Sequence, residues 1–370
     1  MLKNLCRVLA IFLVITGCSR EDFMQEATPK NGITSTNVSQ SKISLGAYYF
    51  DGWTGTYPYH ITPALRDSFP EREPKWGWIT STQTIMNEQI NLAADAGLSF
   101  FSFCWYYNGE KDLPLNNALD FYKNSPNQTR LKYCLMVANH TGSEIGPENW
   151  EQVIDLWLPH LKSETYLKVA DMPVLIFFSA NELVSQFKST QNVSKALHTL
   201  KEQAVKNGLK GVVVAVCTGG DQESVRTAEE CGFDLLTGYN YHDAGFTDSQ
   251  ERQFSINNLV EKEVSVWNGF KSSKLNYIPV STLNWDARPW ASTSSYYASS
   301  PYFYGYSPES VSESVMSVKR WIGNHPEKVT KEKLALLYAW NEYGEGAYLT
   351  PTKSDSNSLL RAVKMALDAN

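Results

Sequence analysis

The chain has 370 residues, and 33 Lys and Arg stand against 39 Asp and Glu, for a formal net charge of −6. This mild acidity, with no basic block, argues against a nucleic-acid-binding surface. Apolar residues make up 42 % and aromatics 13 %, including 11 Trp and 20 Tyr, enough for a large core. Where those rings fall decides whether some also serve a binding surface.

Lys3 and Arg7 flank the start of a short apolar run, Val8 to Ile15, too short to span a bilayer as a helix. The run stops at Ile15-Thr16-Gly17-Cys18, which resembles a bacterial lipobox. That resemblance implies a signal peptide over residues 1–17 and acylation of the Cys18 thiol. The mature chain would then meet the membrane through its lipid alone. An ordinary secretory signal with a chance cysteine is the alternative. Residues 18–41, polar and rich in Ser, Thr and Asn, read as a flexible tether. Residues 42–370 read as a single domain. The expected location is the bacterial cell envelope, and the expected state is a monomer. Cys104, Cys134, Cys217 and Cys231 lack CxxC spacing and read as buried thiols rather than a zinc set.

Ile43 to Tyr49 opens the domain as a strand. Thr82 to Ala96 has helical periodicity, Gly97 closes it, and Leu98 to Cys104 is again an apolar strand. The same helix–Gly–strand cadence recurs at Gly208 and Gly232. Further strands are expected at Lys132 to Val137, Pro173 to Phe178, Val212 to Val216, Phe233 to Leu236, Tyr277 to Ser281 and Leu334 to Ala339. Helical stretches alternate with them: Ala118 to Lys123, Trp150 to Leu161, Val193 to Lys206, Gln222 to Glu230, Ile256 to Phe270, Pro308 to Asn324 and Ser358 to Ala369. The strands are apolar throughout, as parallel strands covered on both faces must be. Eight βα units predict a (β/α)8 TIM barrel. An open doubly wound sheet is the alternative, but the first strand runs into Tyr-Tyr-Phe-Asp-Gly-Trp instead of a glycine-rich phosphate turn.

The helix-to-strand turns are short, whereas two strand-to-helix segments are long: Phe50 to Thr80 after strand one and Thr282 to Ser307 after strand seven. In a barrel both lie on the carboxyl face, where active sites are built. They carry Trp53, Tyr57, Tyr59, Trp76 and Trp78 in one and Trp285, Trp290, Tyr296, Tyr297 and Tyr302 in the other. Such rings either stack on sugar faces or pack the loops together. The strand ends supply further candidates for substrate binding: Tyr49, Trp105, Tyr106, Asn139, His140, Tyr241, His242, Asp286, Arg288, Trp340, Asn341 and Tyr343. His140 also reads as a loop histidine bonded to backbone, and Asp286 and Arg288 as a mutual pair. No HxH or HExxH spacing supports a metal, and neither metal nor cofactor is expected.

The strongest stretch is Leu334 to Pro351, LALLYAWNEYGEGAYLTP. A buried strand runs directly into a polar turn carrying Glu342 and Glu345, with Gly344 and Gly346 beside them. Two carboxyls three residues apart on a rigid strand end can converge on one small volume, as acid/base chemistry at a glycosidic bond requires. A capping role before the last helix is the simpler reading.

Asn341-Glu342-Tyr343-Gly344-Glu345-Gly346 resembles the N-E-W-x-E-G segment of glycoside hydrolase family 99, the endo-α-mannosidase and endo-α-mannanase family, and of the related WbsX-like group. Ala347 to Pro351 continues the pattern. Gly46-Ala47-Tyr48-Tyr49 and FFSFCWYY are similar to the group's first two strands, and Tyr343 stands where the group has Trp. The resemblance implies a barrel that needs no metal and retains anomeric configuration. It assigns Glu345 as general acid and Glu342 as a general base that deprotonates the sugar's own 2-hydroxyl. It implies an oligo- or polysaccharide substrate. A glycosyltransferase and a non-catalytic glycan-binding lipoprotein are the competing expectations.

Overall fold

The computed structural model describes residues 42–109, 113–248 and 250–369. The expected signal peptide, the anchor Cys18 and nearly all of the tether lie outside them. Among the described residues no helix is long and apolar enough to cross a membrane.

Eight parallel barrel strands are present: β1 (Ser44–Tyr49), β2 (Phe100–Trp105), β3 (Lys132–Val137), β4 (Met172–Phe177), β5 (Val213–Cys217), β6 (Leu235–Thr237), β7 in two pieces (Asn276–Tyr277 and Val280–Thr282) and β8 (Leu334–Tyr338). Each pairs with its sequence neighbour, and β8 pairs with β1. The ring closes through the divided β7. Its first piece pairs with β6 and its second with β8. Proline at 279 has no N–H to give the ladder. The flanking bonds carry it across the gap: Ile278 N donates to Leu236 O at 2.8 Å and Leu336 N to Pro279 O at 2.9 Å. A continuous strand from Tyr277 to Ser281 is therefore corrected to two short ones.

Helices α1 (Gln83–Asp95), α2 (Asn117–Lys123), α3 (Trp150–Leu161), α4 (Thr190–Lys206), α5 (Gln222–Cys231), α6 (Ile256–Gly269), α7 (Pro308–Asn324) and α8 (Ser358–Asp368) follow the strands in turn. The molecule is a (β/α)8 barrel. Gly97 and Gly232 end α1 and α5 at φ of 90° and 80°, which only glycine adopts without strain. Thr82 caps α1 by accepting from Ile85 N at 3.3 Å, and Asp221 caps α5 by accepting from Ser224 N at 2.9 Å.

β2 and β8 are buried along their whole length, so the apolar runs are explained by covering on both faces. The two long loops carry structure of their own. The first holds a helix at Pro63–Ser68. The second holds a helix at Ser295–Ser299 and a strand, Tyr302–Tyr304, that pairs with Gln253–Ser255. Cys104, Cys134, Cys217 and Cys231 are all free thiols; Cys217 is half-buried and the rest are buried.

Candidate active site

The turn after β8 is a small hairpin. Asn341–Glu342 pairs antiparallel with Ala347–Tyr348, and Tyr343–Glu345 forms a single 3-10 turn between them. Gly346 ends the turn at φ 73°, a left-handed position. Gly344 lies under Trp290, where a Cβ would come within 2.2 Å of the indole. The two glycines thus let the turn fold tightly beneath the loop after β7. Asp286 N donates to Glu345 O at 2.7 Å and ties the same loop to the turn.

Glu342 and Glu345 both line one cavity of about 1450 Å³ at the carboxyl end of the barrel. Both are nearly fully buried, and neither forms an ion pair with a described cation. Burial pushes each carboxyl up to about 8, because a charge in a low-dielectric wall loses its hydration. Tyr239 Oη donates to Glu342 Oε1 at 3.3 Å, and Glu342 Oε2 has no partner. Glu345 accepts from the Tyr338 hydroxyl and from Tyr297. These phenol bonds favour the ionised carboxyls but are outweighed by desolvation.

The remaining walls are mostly aromatic. Trp285 stacks on His242 with ring centroids 3.8 Å apart. His242 Nδ1 lies 2.6 Å from Asn240 Oδ1 and Nε2 lies 2.9 Å from the Tyr296 hydroxyl. An amide oxygen can only accept, so Nδ1 carries the proton and Nε2 accepts from Tyr296. Burial holds the ring neutral, lowering it to about 4. His140 lines the cavity edge-on to Tyr106 and Phe178, with Nδ1 2.9 Å from Thr141 O. Among the described residues no three His, Cys, Asp or Glu converge as a metal-ligating set.

Of the residues nominated for substrate, Tyr106, His140, His242 and Trp285 line this cavity beside the two glutamates. Tyr49, Trp53, Trp105, Asn139, Tyr241, Asp286, Arg288, Trp340, Asn341 and Tyr343 do not line it, and their polar tips are mostly used inside the protein. Trp53 Nε1 donates to Asn341 O at 2.7 Å, and Trp340 Nε1 to Gln89 Oε1 at 2.6 Å. Asn341 spends its whole amide on Phe50, accepting from N at 2.9 Å and donating to O at 2.7 Å. That clamps the end of β1 rather than a substrate hydroxyl. Asn139 does the same for Ser179, at 3.1 and 2.7 Å. Tyr343 bonds Thr350 at 2.9 Å and Tyr241 bonds Tyr277 at 2.9 Å. Trp105 is buried against Tyr107 and Trp157, and Tyr49 against Phe101 and Phe103. Asp286 and Arg288 do pair, at 2.7 Å, and the buried Arg72 joins them through the same carboxylate. Strand-end residues alternate between the cavity and the helix layer, and an unaligned sequence does not say which side begins.

The long loops contribute more than the nominations. Tyr57, Tyr59, Trp290, Tyr296 and Tyr297 line the cavity, whereas Trp76 and Trp78 line a smaller neighbouring pocket. Of the three phenols on the glutamates, Tyr297 is one of the long-loop rings that the sequence offers, whereas Tyr239 and Tyr338 are not among the candidates. Tyr338 hides inside an apolar run, and only its place as the last residue of a barrel strand could have drawn attention to it.

A family described as Glycosyltransferase WbsX matches residues 73–363, from the first long loop into α8 and including both glutamates. The chain belongs to the WbsX family. No curated protein matches it by sequence. This WbsX member is similar in structure to a "Glycoside hydrolase-like protein", with a TM-score of 0.64 and 14 % identity over 89 % of this chain and 95 % of that one. It is also similar to a GH99 endo-α-mannosidase from Bacteroides thetaiotaomicron, with a TM-score of 0.58 and 13 % identity over 88 % and 96 % of the two chains. At such identities the likeness establishes the fold alone: the WbsX chain shares the (β/α)8 barrel of these structures.

Proposed function

We propose that the protein hydrolyses glycosidic bonds of an oligo- or polysaccharide, with Glu345 as general acid and Glu342 as general base. The observation that carries this reading is that both carboxyls, unpaired with any described cation, line a single aromatic-walled cavity at the carboxyl end of the barrel. A carboxyl raised to about 8 keeps its proton at neutral pH and can give it to a departing oxygen. Glu342 stands at the same raised value, so it acts as base in the molecules in which it is ionised, where its Oε2 has no protein donor competing for the substrate's hydroxyl proton.

Because the two acids project from one short hairpin, flanking opposite faces of a sugar ring is difficult for them. A route through the substrate's 2-hydroxyl suits them better than the usual carboxylate nucleophile, whose partner lies ~5–5.5 Å away across the ring. Glu342 takes the 2-hydroxyl proton, the oxygen attacks the anomeric carbon, and the bond to the leaving oxygen breaks as Glu345 protonates it. Water then opens the 1,2-anhydro ring. Its proton returns to Glu345, Glu342 returns its proton to the 2-oxygen, and configuration is retained. The structural relative from Bacteroides thetaiotaomicron is named as an endo-α-mannosidase. A cavity of about 1450 Å³ exceeds the ~300–1,000 Å³ of ordinary small-molecule sites, and favours endo action on a chain.

Glu345→Gln abolishes cleavage while glycan binding survives; product profiling on a polysaccharide panel reads both. A second reading, sugar transfer, is favoured by the family's description. The described residues lining the cavity include no Lys or Arg to meet a nucleoside diphosphate, which supports hydrolysis instead. Turnover that requires a nucleotide sugar would reverse the choice. Lipid anchoring at Cys18 belongs to the same proposal, and loss of fatty-acid labelling in Cys18→Ala tests it.

A further inference from the structure

The first long loop encloses a second pocket, of about 540 Å³, that shares Tyr59 and His60 with the larger cavity. His60 stands between them, packed on Phe50 and Trp290 at centroid distances of 4.9 and 5.9 Å. The smaller pocket is walled by Trp76, Trp78 and Ile79, and Arg66 reaches it from the last turn of the helix Pro63–Ser68. Tyr59 and Ile79 are 72 % and 53 % exposed, an unusual exposure for large apolar groups side by side.

Arg66 is the charged member of this pocket; its side chain and that of Arg361, which lines neither pocket, have no ion pair or hydrogen bond among the described residues. Arg72, Arg130, Arg226, Arg288 and Arg320 each pair with a carboxylate, and Arg252 donates to two carbonyls. The Arg66 guanidinium makes no ion pair or hydrogen bond with any described residue, its backbone N–H alone donating to Thr62 O at 3.2 Å. Among the described residues Arg66 is the only Lys or Arg lining either pocket, whereas the larger cavity presents Glu342 and Glu345. Among the described lining residues, an anionic group therefore finds a counter-charge only in the smaller pocket. A guanidinium offers a planar fork that fits carboxylate or sulfate, and the flanking indoles offer faces for a sugar ring.

We infer that this annex is a distal subsite for an acidic sugar residue, one bearing a carboxylate or sulfate, of the same glycan whose neutral linkage sits over Glu342 and Glu345. The inference rests on the glycan-hydrolase reading for the identity of the chain it binds. That the two pockets share Tyr59 and His60 as lining residues is what makes the occupant another unit of that chain.

Binding is measured by calorimetry on the full-length Glu345→Gln protein, so that no probe is consumed. The probes are manno- and galacto-oligosaccharides, and oligomannuronate, oligogalacturonate and sulfated galacto-oligosaccharides of equal length. The expected result is a preference of about tenfold for one charged class. That preference collapses when Arg66→Gln is added and at high salt, and which charged class shows it separates uronate from sulfate. Trp78→Ala weakens binding of the preferred probe as well. Equal affinity for charged and neutral probes, no binding at all, or a charge preference that survives Arg66→Gln would overturn the inference. Cleavage by the wild type without charge preference removes the subsite and keeps the hydrolase. Charge preference without cleavage does the reverse.

Discussion

The ends of β7 and β8 both place carboxyls out of water, and they treat them in opposite ways. Behind β7, Glu263 of α6 is buried and pushed up to about 8, yet both its oxygens are occupied: Ser281 Oγ donates at 2.8 Å and Thr282 N at 2.6 Å. In the loop beyond, Asp286 is held below the ordinary carboxylate range against its burial by Arg288 and Arg72. These acids have been given everything they need by the protein. After β8, Glu342 and Glu345 are as deeply buried, receive only phenol hydroxyls, and one oxygen of Glu342 is left without a partner. Burial and a raised pKa thus do not distinguish a structural acid from a chemical one. Unmet bonding capacity on a residue that lines a cavity does.

Substitutions at the two ends break or sharpen this contrast. The largest effect belongs to β8: Glu345→Gln and Glu342→Gln each lower turnover by about 10²–10⁴-fold with little change in glycan affinity, read by steady-state cleavage assays and calorimetry. Next comes Arg72→Met. It removes the buried partner of Asp286 and lowers stability by about 3–5 kcal/mol, read by chemical denaturation. Glu263→Ala strands the Ser281 hydroxyl and Thr282 N–H, and lowers stability by about 2–5 kcal/mol.

Glu342→Gln shows the opposite sign in the same denaturation experiment. The folded pKa of Glu342 is raised to about 8 from an ordinary 4.5, so the wild type is stabilised by this group below pH 4.5 and loses that stability as pH rises through 8. The variant is therefore more stable than the wild type by about 1–3 kcal/mol at pH 7–8 and equal to it near pH 4. A variant less stable at both pH values would make Glu342 a structural acid like Glu263. The smallest effect is expected from Tyr239→Phe. The lost hydroxyl bond favours the ionised carboxylate, so its removal moves the acid limb of the pH–rate profile upward by about one unit or less. A limb that stays in place would take Tyr239 out of the base's environment.

Much of the barrel was legible because its signals are local. Uninterrupted apolar runs marked the strands, and Gly97 and Gly232 marked helix ends that demand positive φ. The division of β7 was not, because Pro279 lies in an apolar stretch and only the ladders on either side show where pairing changes hands. At the site, Glu342 and Glu345 stood out because they follow directly on a buried strand. Tyr106, His140, His242 and Trp285 were found with them, but Trp53, Trp340, Asn341 and Tyr343 bear the same residue types at similar strand ends and bond inward.

What the chain alone determined is therefore the order of strands and helices, the length of the two carboxyl-side loops and the acid pair in the last turn, since each depends on neighbours in sequence. Which rings face the cavity, which phenols reach the acids, and that Arg72 braces Asp286 while Arg66 stays unpaired were decided by the tertiary structure. These depend on which face of each strand end turns inward. That is set by the packing of all eight strands around the ring and is carried by no single segment.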